Sequence, residues 1–128
     1  MKPANMVSVF IPLKAEYVSI VRLTASGIAN RIGFDIDTIE DIKVAISEVI
    51  SKIIEKQLSN DRIGIDFNQL DDGMRVDFRL TESFPEDIFE NEPDSFAFAI
   101  ISSLMDEVNM KKDADILLSM TKKLERVI

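Results

Sequence analysis

Two segments of strictly alternating residues, separated by a short turn, constrain the fold of this chain more than any other feature. RIGIDFNQL (62–70) and MRVDFRL (74–80) place apolar side chains at every second position, as a β-strand with one buried face requires. The linking DDG (71–73) predicts a hairpin turn in which Gly73 supplies the positive φ. The pattern therefore predicts an antiparallel pair of strands.

The residues before this hairpin predict one more strand and a helix. MVSVFIP (6–12) alternates and ends at a proline, which is typical of a short strand. Residues 15–33 then repeat apolar side chains at helical spacing, and Gly33 occupies the position of a left-handed C-cap. Since Gly27 inside this helix costs ~1 kcal/mol relative to alanine, we expect close packing at that point.

The segment between the first helix and the hairpin predicts a second, amphipathic helix. We expect it to begin at Asp37, with Glu40 three residues later completing a capping box, and to run to about Leu58. Its spacing predicts a buried stripe of β-branched residues, namely Ile39, Ile42, Ile46, Val49 and Ile53.

The last third of the chain predicts a loop, a helix and a closing hairpin. TESFPEDIFENEPD (81–94) is an acidic loop, and a third helix follows at about 95–106. EVNMKK (107–112) and ADILLSMTKKL (114–124) are predicted strands of a hairpin around Asp113. One side of the third helix is expected to carry Phe96, Ile100 and Leu104, with Ala97 and Ile101 beside them.

The resulting order, β-α-α-β-β-α-β-β, is typical of an α+β protein. We expect a two-layer α/β sandwich in which one mostly antiparallel sheet is covered on one face by three helices. The 128 residues, 46% of them hydrophobic, predict a single domain spanning 1–128 with one core.

Composition excludes several classes of function. The chain has no Cys and no His, which excludes disulfides, thiolate or imidazole catalysis and the usual zinc sites. Its net charge of −8 argues against binding to a nucleic-acid backbone. We find no apolar run of membrane-spanning length and no signal peptide, so we expect no membrane partner and a cytoplasmic location.

Four segments carry a resemblance to a known family. EYVSIVRLTASGIANRIGF (16–34), IEDIKVAISE (39–48), SLMDEV (103–108) and MTK (120–122) resemble the bacterial anti-sigma factors that double as serine-protein kinases. The resemblance implies a histidine kinase-like ATPase (Bergerat) fold and a sigma factor or an anti-sigma antagonist as partner. It also implies a homodimer formed through the sheet.

The same resemblance places a catalytic motif, Glu-x-x-x-Asn, on the second helix. Its glutamate, the general base for phosphoryl transfer, corresponds to Glu48, but the magnesium-binding asparagine is replaced by Lys52. An ammonium has three donors and no lone pair for a metal, and hard cations require oxygen ligands. Lys52 is therefore a degenerate position of the family's nucleotide site.

The glycines that shape the family's nucleotide pocket are missing as well. TESFPED (81–87) and DSFAFAI (94–100) occupy the places of the glycine motifs, and no glycine lies beyond residue 73. Only glycine adopts such loop geometries freely and allows a backbone to approach a phosphate closely. We therefore expect Glu48 to be a remnant, with no metal and no cofactor; ATP and Mg²⁺ are expected only if the site remains active.

Each of the singled-out groups has a second interpretation. Glu48 and Lys52 also fit an exposed i,i+4 ion pair worth ~0.3–0.5 kcal/mol, or Lys52 fills the vacated magnesium site. Arg22, which matches a partner-binding arginine of the family, also fits a solvated side chain.

The acidic run 82–94 fits a solvated loop or a surface for a basic partner. An apolar group around it fits a plugged pocket or an exposed patch, and consists of Phe84, Ile88, Phe89, Phe96 and Phe98.

The function that these features favour is anti-sigma-factor-like regulation by protein–protein binding, with an inactive ATP site. The alternative is an active ATP-dependent serine-protein kinase with an unusual nucleotide pocket. A third hypothesis is a protein that acts mainly as a structural dimer.

Overall fold

A computed structural model describes residues 5–56, 62–80, 94–110 and 116–125 of the chain. The element order is the predicted one, with a single 3₁₀ turn at Ala15–Tyr17 before the first helix. The strands and helices are β1 Asn5–Pro12, α1 Val18–Ile32, α2 Ile36–Glu55, β2 Arg62–Leu70, β3 Gly73–Leu80, α3 Asp94–Leu104, β4 Glu107–Met110 and β5 Ile116–Lys123.

The five strands form one sheet in the order β1-β2-β3-β5-β4, and every neighbouring pair is antiparallel. The alternation of β2 and β3 separates two faces, because side chains of successive residues point to opposite sides. Ile65 lies opposite Phe78, and Phe67 opposite Val76, and these four are at most 1% exposed. They belong to the core with the helices, so the predicted two-layer α+β sandwich is confirmed.

Helix α2 begins two residues earlier than predicted. Asp35 is its N-cap, and its carboxylate accepts a hydrogen bond from the Thr38 backbone N–H at 2.8 Å. The predicted capping box at Asp37 is wrong, since Glu40 instead pairs with Lys43 at 3.0 Å. The buried stripe is confirmed, as Ile39, Ile42, Ile46, Val49 and Ile53 are all at most 7% exposed. The helix ends at Glu55, and its predicted end at Leu58 lies outside the described residues.

Three glycines had a predicted structural role, and two of them, Gly73 and Gly27, have a different role in the structure. Gly33 ends α1 with φ of 112°, which confirms the left-handed C-cap. Gly73 has no positive φ but is the first residue of β3, where a Cβ would collide with the Lys122 backbone oxygen. Gly27 is exposed and has nothing within 4 Å of its Cβ position, so the predicted close packing inside the chain is wrong.

The core-facing side of helix α3, which the sequence pattern did not assign, carries Ala97 and Ile101. Ala97 and Ile101 are buried, at 4% and 0% exposure, whereas Phe96 is 68% exposed. Phe96 therefore does not plug a pocket, while Phe98 is half-buried against the core. The other members of that apolar group, the loop 81–93 and the hairpin turn around Asp113 lie outside the described residues. The ammonium of Lys122 fixes the end of α3 by donating to the Leu104 carbonyl at 2.8 Å.

Candidate functional site

Glu48 and Lys52, the two residues that the resemblance places at the positions of the catalytic motif, lie in the second half of α2. Val49, Ile50 and Ile53 of the helix are completely buried. Glu48 and Lys52 lie beside this buried side of the helix, between the core and solvent. Glu48 is half-buried there, and the Lys52 side chain is only 15% exposed. Lys52 is therefore more enclosed than a lysine on a solvated helix face.

Within the described part of the chain, the ammonium of Lys52 pairs with Glu55 Oε2 at 3.0 Å. Glu48 has no ion pair with any described residue, so the predicted Glu48–Lys52 pair is wrong. Residues three and four positions apart are both neighbours on a helix surface, and here the i,i+3 carboxylate is the one used. Since Lys52 offers only donors, the described residues provide no metal ligand at this position. No cluster of three acidic side chains able to hold a metal occurs among them either.

Arg22 lies on the exposed surface of α1, on the side that borders α2. A groove of about 230 Å³ beside it is lined by Ser19, Arg22, Leu23 and Lys43. Leu23 is 73% exposed, and the guanidinium of Arg22 forms no ion pair with a described residue. Lys43 is held by Glu40. An arginine with no ion pair among the described residues, beside an exposed leucine, combines the charged and apolar groups that protein interfaces favour.

A row of polar side chains crosses the face of the sheet that is opposite the helices. Ser8, Asp66, Asp77 and Ser119 are paired strand by strand across β1, β2, β3 and β5. Ser8 donates to Asp66 Oδ1 at 2.7 Å, and Ser119 donates to Asp77 Oδ1 at 2.5 Å. We call these four residues the polar row. The side chains of Asp66 and Asp77 are 10% and 7% exposed, so the row is part of the folded framework.

An arginine neutralises each carboxylate of the polar row. Arg79 holds Asp66, and Arg75 Nε approaches Asp77 Oδ1 at 3.2 Å. The Arg79 guanidinium also stacks on the Phe10 ring, 4.8 Å from its centroid. This arrangement was not predicted from the sequence. The polar residues that alternate with the apolar ones in 62–80 are the sequence signal for it. Which of these polar side chains pair with one another, however, depends on the strand register.

Comparison with known proteins identifies the family. No family model matches the chain. It is 34% identical to the serine-protein kinase RsbW of Halalkalibacterium halodurans, over 91% of this chain and 82% of that protein. It is 39% identical to the serine-protein kinases RsbW of Bacillus cereus and Bacillus anthracis, over 91% of this chain and 83% of those proteins. No helix in the described ranges has the length and apolar character to cross a membrane. The chain belongs to the serine-protein kinase RsbW family, as the resemblance of its four segments predicts.

Proposed function

We propose that this protein is an anti-sigma-factor-like regulator that acts by binding another protein, either a sigma factor or an antagonist of the anti-sigma factor. The observation that carries the proposal is the similarity to RsbW proteins across 91% of the chain, together with the exposed Arg22 in the VRLT segment. Partner binding requires only that the contact surface is retained, and does not require an intact nucleotide site.

The proposed contact surface is the part of α1 around Arg22. Its guanidinium is available for a partner carboxylate, since it has no ion pair among the described residues. Leu23 is 73% exposed and adds apolar area to the groove. Val44, which follows the groove-lining Lys43 in α2, is 43% exposed. Arginine makes planar, bidentate contacts with carboxylates, so an acidic residue of the partner would be its counterpart.

We also propose that the nucleotide site is degenerate. Two observations support this: Lys52 replaces the metal-binding asparagine and pairs with Glu55 at 3.0 Å, and no glycine lies beyond residue 73. A lysine ammonium adds no metal ligand. Without glycine, backbone amides approach a phosphate less freely. On this proposal neither ATP nor Mg²⁺ is a cofactor.

An active serine-protein kinase is the second candidate function. It is favoured by the name of the relatives, which are serine-protein kinases, and by Glu48, the residue at the general-base position. Glu48 is half-exposed and carries no competing ion pair with a described residue. A carboxylate of this kind remains available to accept a proton.

A homodimer formed through the sheet is a further part of the proposal. The face of the sheet opposite the helices is bordered by Met6 and Phe10, which are 53% and 48% exposed. Phe and Met are enriched at protein interfaces, and homodimer interfaces are more apolar than the rest of the surface, which favours this face as an interface between copies. If dimerisation were the main role, mass measured by light scattering would rise with concentration while no partner bound.

The test of the nucleotide site is thermal unfolding with and without millimolar Mg-ATP. A ligand present at 100 times its Kd stabilises the folded state by ~2.7 kcal/mol, which raises the melting temperature by several degrees. We expect no shift. A clear upward shift would establish nucleotide binding and favour the kinase.

The test of partner binding is titration with a purified sigma factor from the same organism. We expect binding that is weakened at least tenfold by Arg22→Ala and unchanged by Arg62→Ala. Arg62 is a matched control because it is an exposed arginine on β2 that does not line the groove beside Arg22. Equal loss in both variants, or none in either, would contradict the Arg22 surface.

A further inference from the structure

The outward side of α1 is apolar where a surface helix usually carries charged and polar residues. The side that faces the core consists of Val21, Ala25 and Ala29. On the opposite side Ile20 and Leu23 are 46% and 73% exposed, and Gly27 is exposed as well. At 3.6 residues per turn these three lie within about 60° of one another around the helix. We call Ile20, Leu23 and Gly27 the outer stripe of α1.

Gly27 is the member of the outer stripe that the folded chain itself does not require. Glycine destabilises a helix interior relative to alanine, and it is needed where φ is positive or where another group comes close to the backbone. The positive φ in the described ranges belongs to Gly33. A Cβ at Gly27 would meet nothing within 4 Å among the described residues. The remaining use of this glycine is a close approach by another molecule.

Positive charge on both flanks of the outer stripe indicates an acidic partner. Helix α1 contains Arg22 and Arg31 and no acidic residue, and neither guanidinium forms an ion pair with a described residue. Their spacing of nine residues places them on opposite sides of the helix and about 13 Å apart along its axis. Arginine binds carboxylates through paired hydrogen bonds. A second copy of this helix would place arginine against arginine, so charge disfavours a second copy as the occupant.

A helix is the partner element that fits this surface. Packed helices lie about 8–10 Å apart, depending on the side chains at the contact, and a glycine at the contact permits the shorter distances. An amphipathic helix places its apolar stripe on an apolar surface, while the charged residues at its borders reach the flanks.

We propose that Gly27 is a specificity-determining residue for partner binding, over which the backbone of an acidic, amphipathic helix of the partner packs. Apolar side chains of that helix contact Leu23, and its carboxylates pair with Arg22 and Arg31. The inference rests on the proposed function, because it names the partner element that the surface around Arg22 binds. Arg22 contributes charge to this contact, whereas Gly27 contributes the space for a neighbouring backbone.

The experiment titrates the full chain with two purified proteins, the sigma factor and the antagonist of the anti-sigma factor. Leucine is a good helix former, so Gly27→Leu keeps α1 helical and fills the space above the outer stripe. For the protein that binds, we expect Gly27→Leu to weaken the affinity about tenfold. Ser102→Leu is the matched control, because Ser102 is an exposed residue of α3 that does not line the groove beside Arg22, and it should bind as the wild type does.

Gly27→Ala separates a binding role of this residue from a structural one. We expect this variant to melt at a higher temperature than the wild type, because alanine stabilises a helix relative to glycine. Its affinity for the partner is nevertheless expected to fall about two- to fivefold. A purely structural glycine would not give higher stability together with weaker binding.

The outcomes distinguish this inference from the proposed function. If neither purified protein binds the wild type, both are overturned. If one binds and Arg22→Ala weakens it, while Gly27→Leu and Gly27→Ala bind as tightly as the wild type or more tightly, this inference alone is overturned.

Cross-linking identifies the partner element. Since the chain has no cysteine, Asn30→Cys, which lies exposed on the outward side of α1, carries a single benzophenone label. A docked helix predicts cross-linked positions three or four residues apart in the partner, within a segment that contains Asp or Glu. Cross-links to alternate residues of an extended segment, or to a segment without an acid, would overturn the inference.

Discussion

Arg79 holds the carboxylate of Asp66 through two parallel hydrogen bonds from β3 to β2, with Nε–Oδ2 at 2.7 Å and Nη2–Oδ1 at 3.0 Å. The pair is needed because Asp66 lies directly opposite Asp77 in the register, and like charges directly across a strand pair are destabilising. Arg79 and Arg75 each compensate one carboxylate. The sheet face opposite the helices is thus stabilised by charge pairing that is internal to the chain.

Removing Asp66 is therefore expected to lower the stability of the protein. Asp66→Ala removes the acceptor of two hydrogen bonds from Arg79 and of one from Ser8, and the side chains of Asp66 and Arg79 are only 10% and 23% exposed. We expect a loss of ~2–3 kcal/mol in the free energy of unfolding, measured by urea denaturation. The control is Glu107→Ala, which breaks a half-exposed pair with Lys123 at 3.6 Å and should cost under ~0.5 kcal/mol. If both variants lost the same free energy of unfolding, the polar row would stabilise the protein no more than an exposed ion pair does.

Alanine at Gly73 and at Gly27 is expected to change stability in opposite directions. A Cβ at Gly73 would lie against the Lys122 carbonyl oxygen and 2.9 Å from Lys123 Cα, all of it backbone of β5. Overpacking of this kind costs ~1–3 kcal/mol. A Cβ at Gly27 meets nothing within 4 Å, so Gly27→Ala should stabilise α1 by ~1 kcal/mol. Urea denaturation of both variants measures the difference, and a neutral Gly73→Ala would contradict the close approach of β3 and β5.

The N-cap of α2 gives a prediction about pH. Hydrogen bonds from the Thr38 side chain and backbone N–H hold the pKa of Asp35 below its usual value of 3.8. A lowered folded-state pKa means that the contribution to stability is complete above the unfolded-state pKa and is lost as pH falls through the folded-state pKa. Asp35→Ala should therefore destabilise the protein at pH 7, and this difference from wild type should diminish below about pH 4.

Asp37→Ala is the matched control for that experiment. Asp37 also lies in the first turn of α2 but is not the N-cap. Its replacement should destabilise the protein less than Asp35→Ala at pH 7. Thermal unfolding from pH 3 to pH 7 tests both variants. If Asp37→Ala lowered the stability more than Asp35→Ala, Asp37 rather than Asp35 would be the N-cap.

The elements of this fold were predictable where one local pattern had no competitor. The alternation in 62–80 and the isoleucine stripe of α2 each allow one buried face, and both predictions were correct. Asp35 and Asp37 are both of a residue type favoured at the N-cap, so the local sequence did not separate them. In α3 the run FAFAII is apolar on several sides, and the core contacts Ala97 and Ile101 rather than Phe96.

Non-local pairing explains what was missed at the candidate site. The polar row depends on which residues of β1, β2, β3 and β5 face each other, and a sequence pattern does not contain that register. At Lys52, both Glu48 and Glu55 lie within one helical turn. The partner depends on how the side chain packs against its surroundings, which spacing alone does not determine.

Replacing Lys52 with asparagine tests whether this position is what limits nucleotide binding. An asparagine side chain offers an oxygen ligand to Mg²⁺, which an ammonium cannot. If Lys52 were the only defect, Lys52→Asn would bind Mg-ATP, and a Kd near 10 μM would stabilise the variant by ~2.7 kcal/mol at 1 mM ligand. We expect no such stabilisation, because the glycine motifs are also missing from the sequence. The measurement is thermal unfolding with Mg-ATP, with Lys52→Gln as the control for the lost ion pair to Glu55. Stabilisation of Lys52→Asn alone would show that the rest of the nucleotide pocket is intact and that one residue separates this protein from a nucleotide-binding relative.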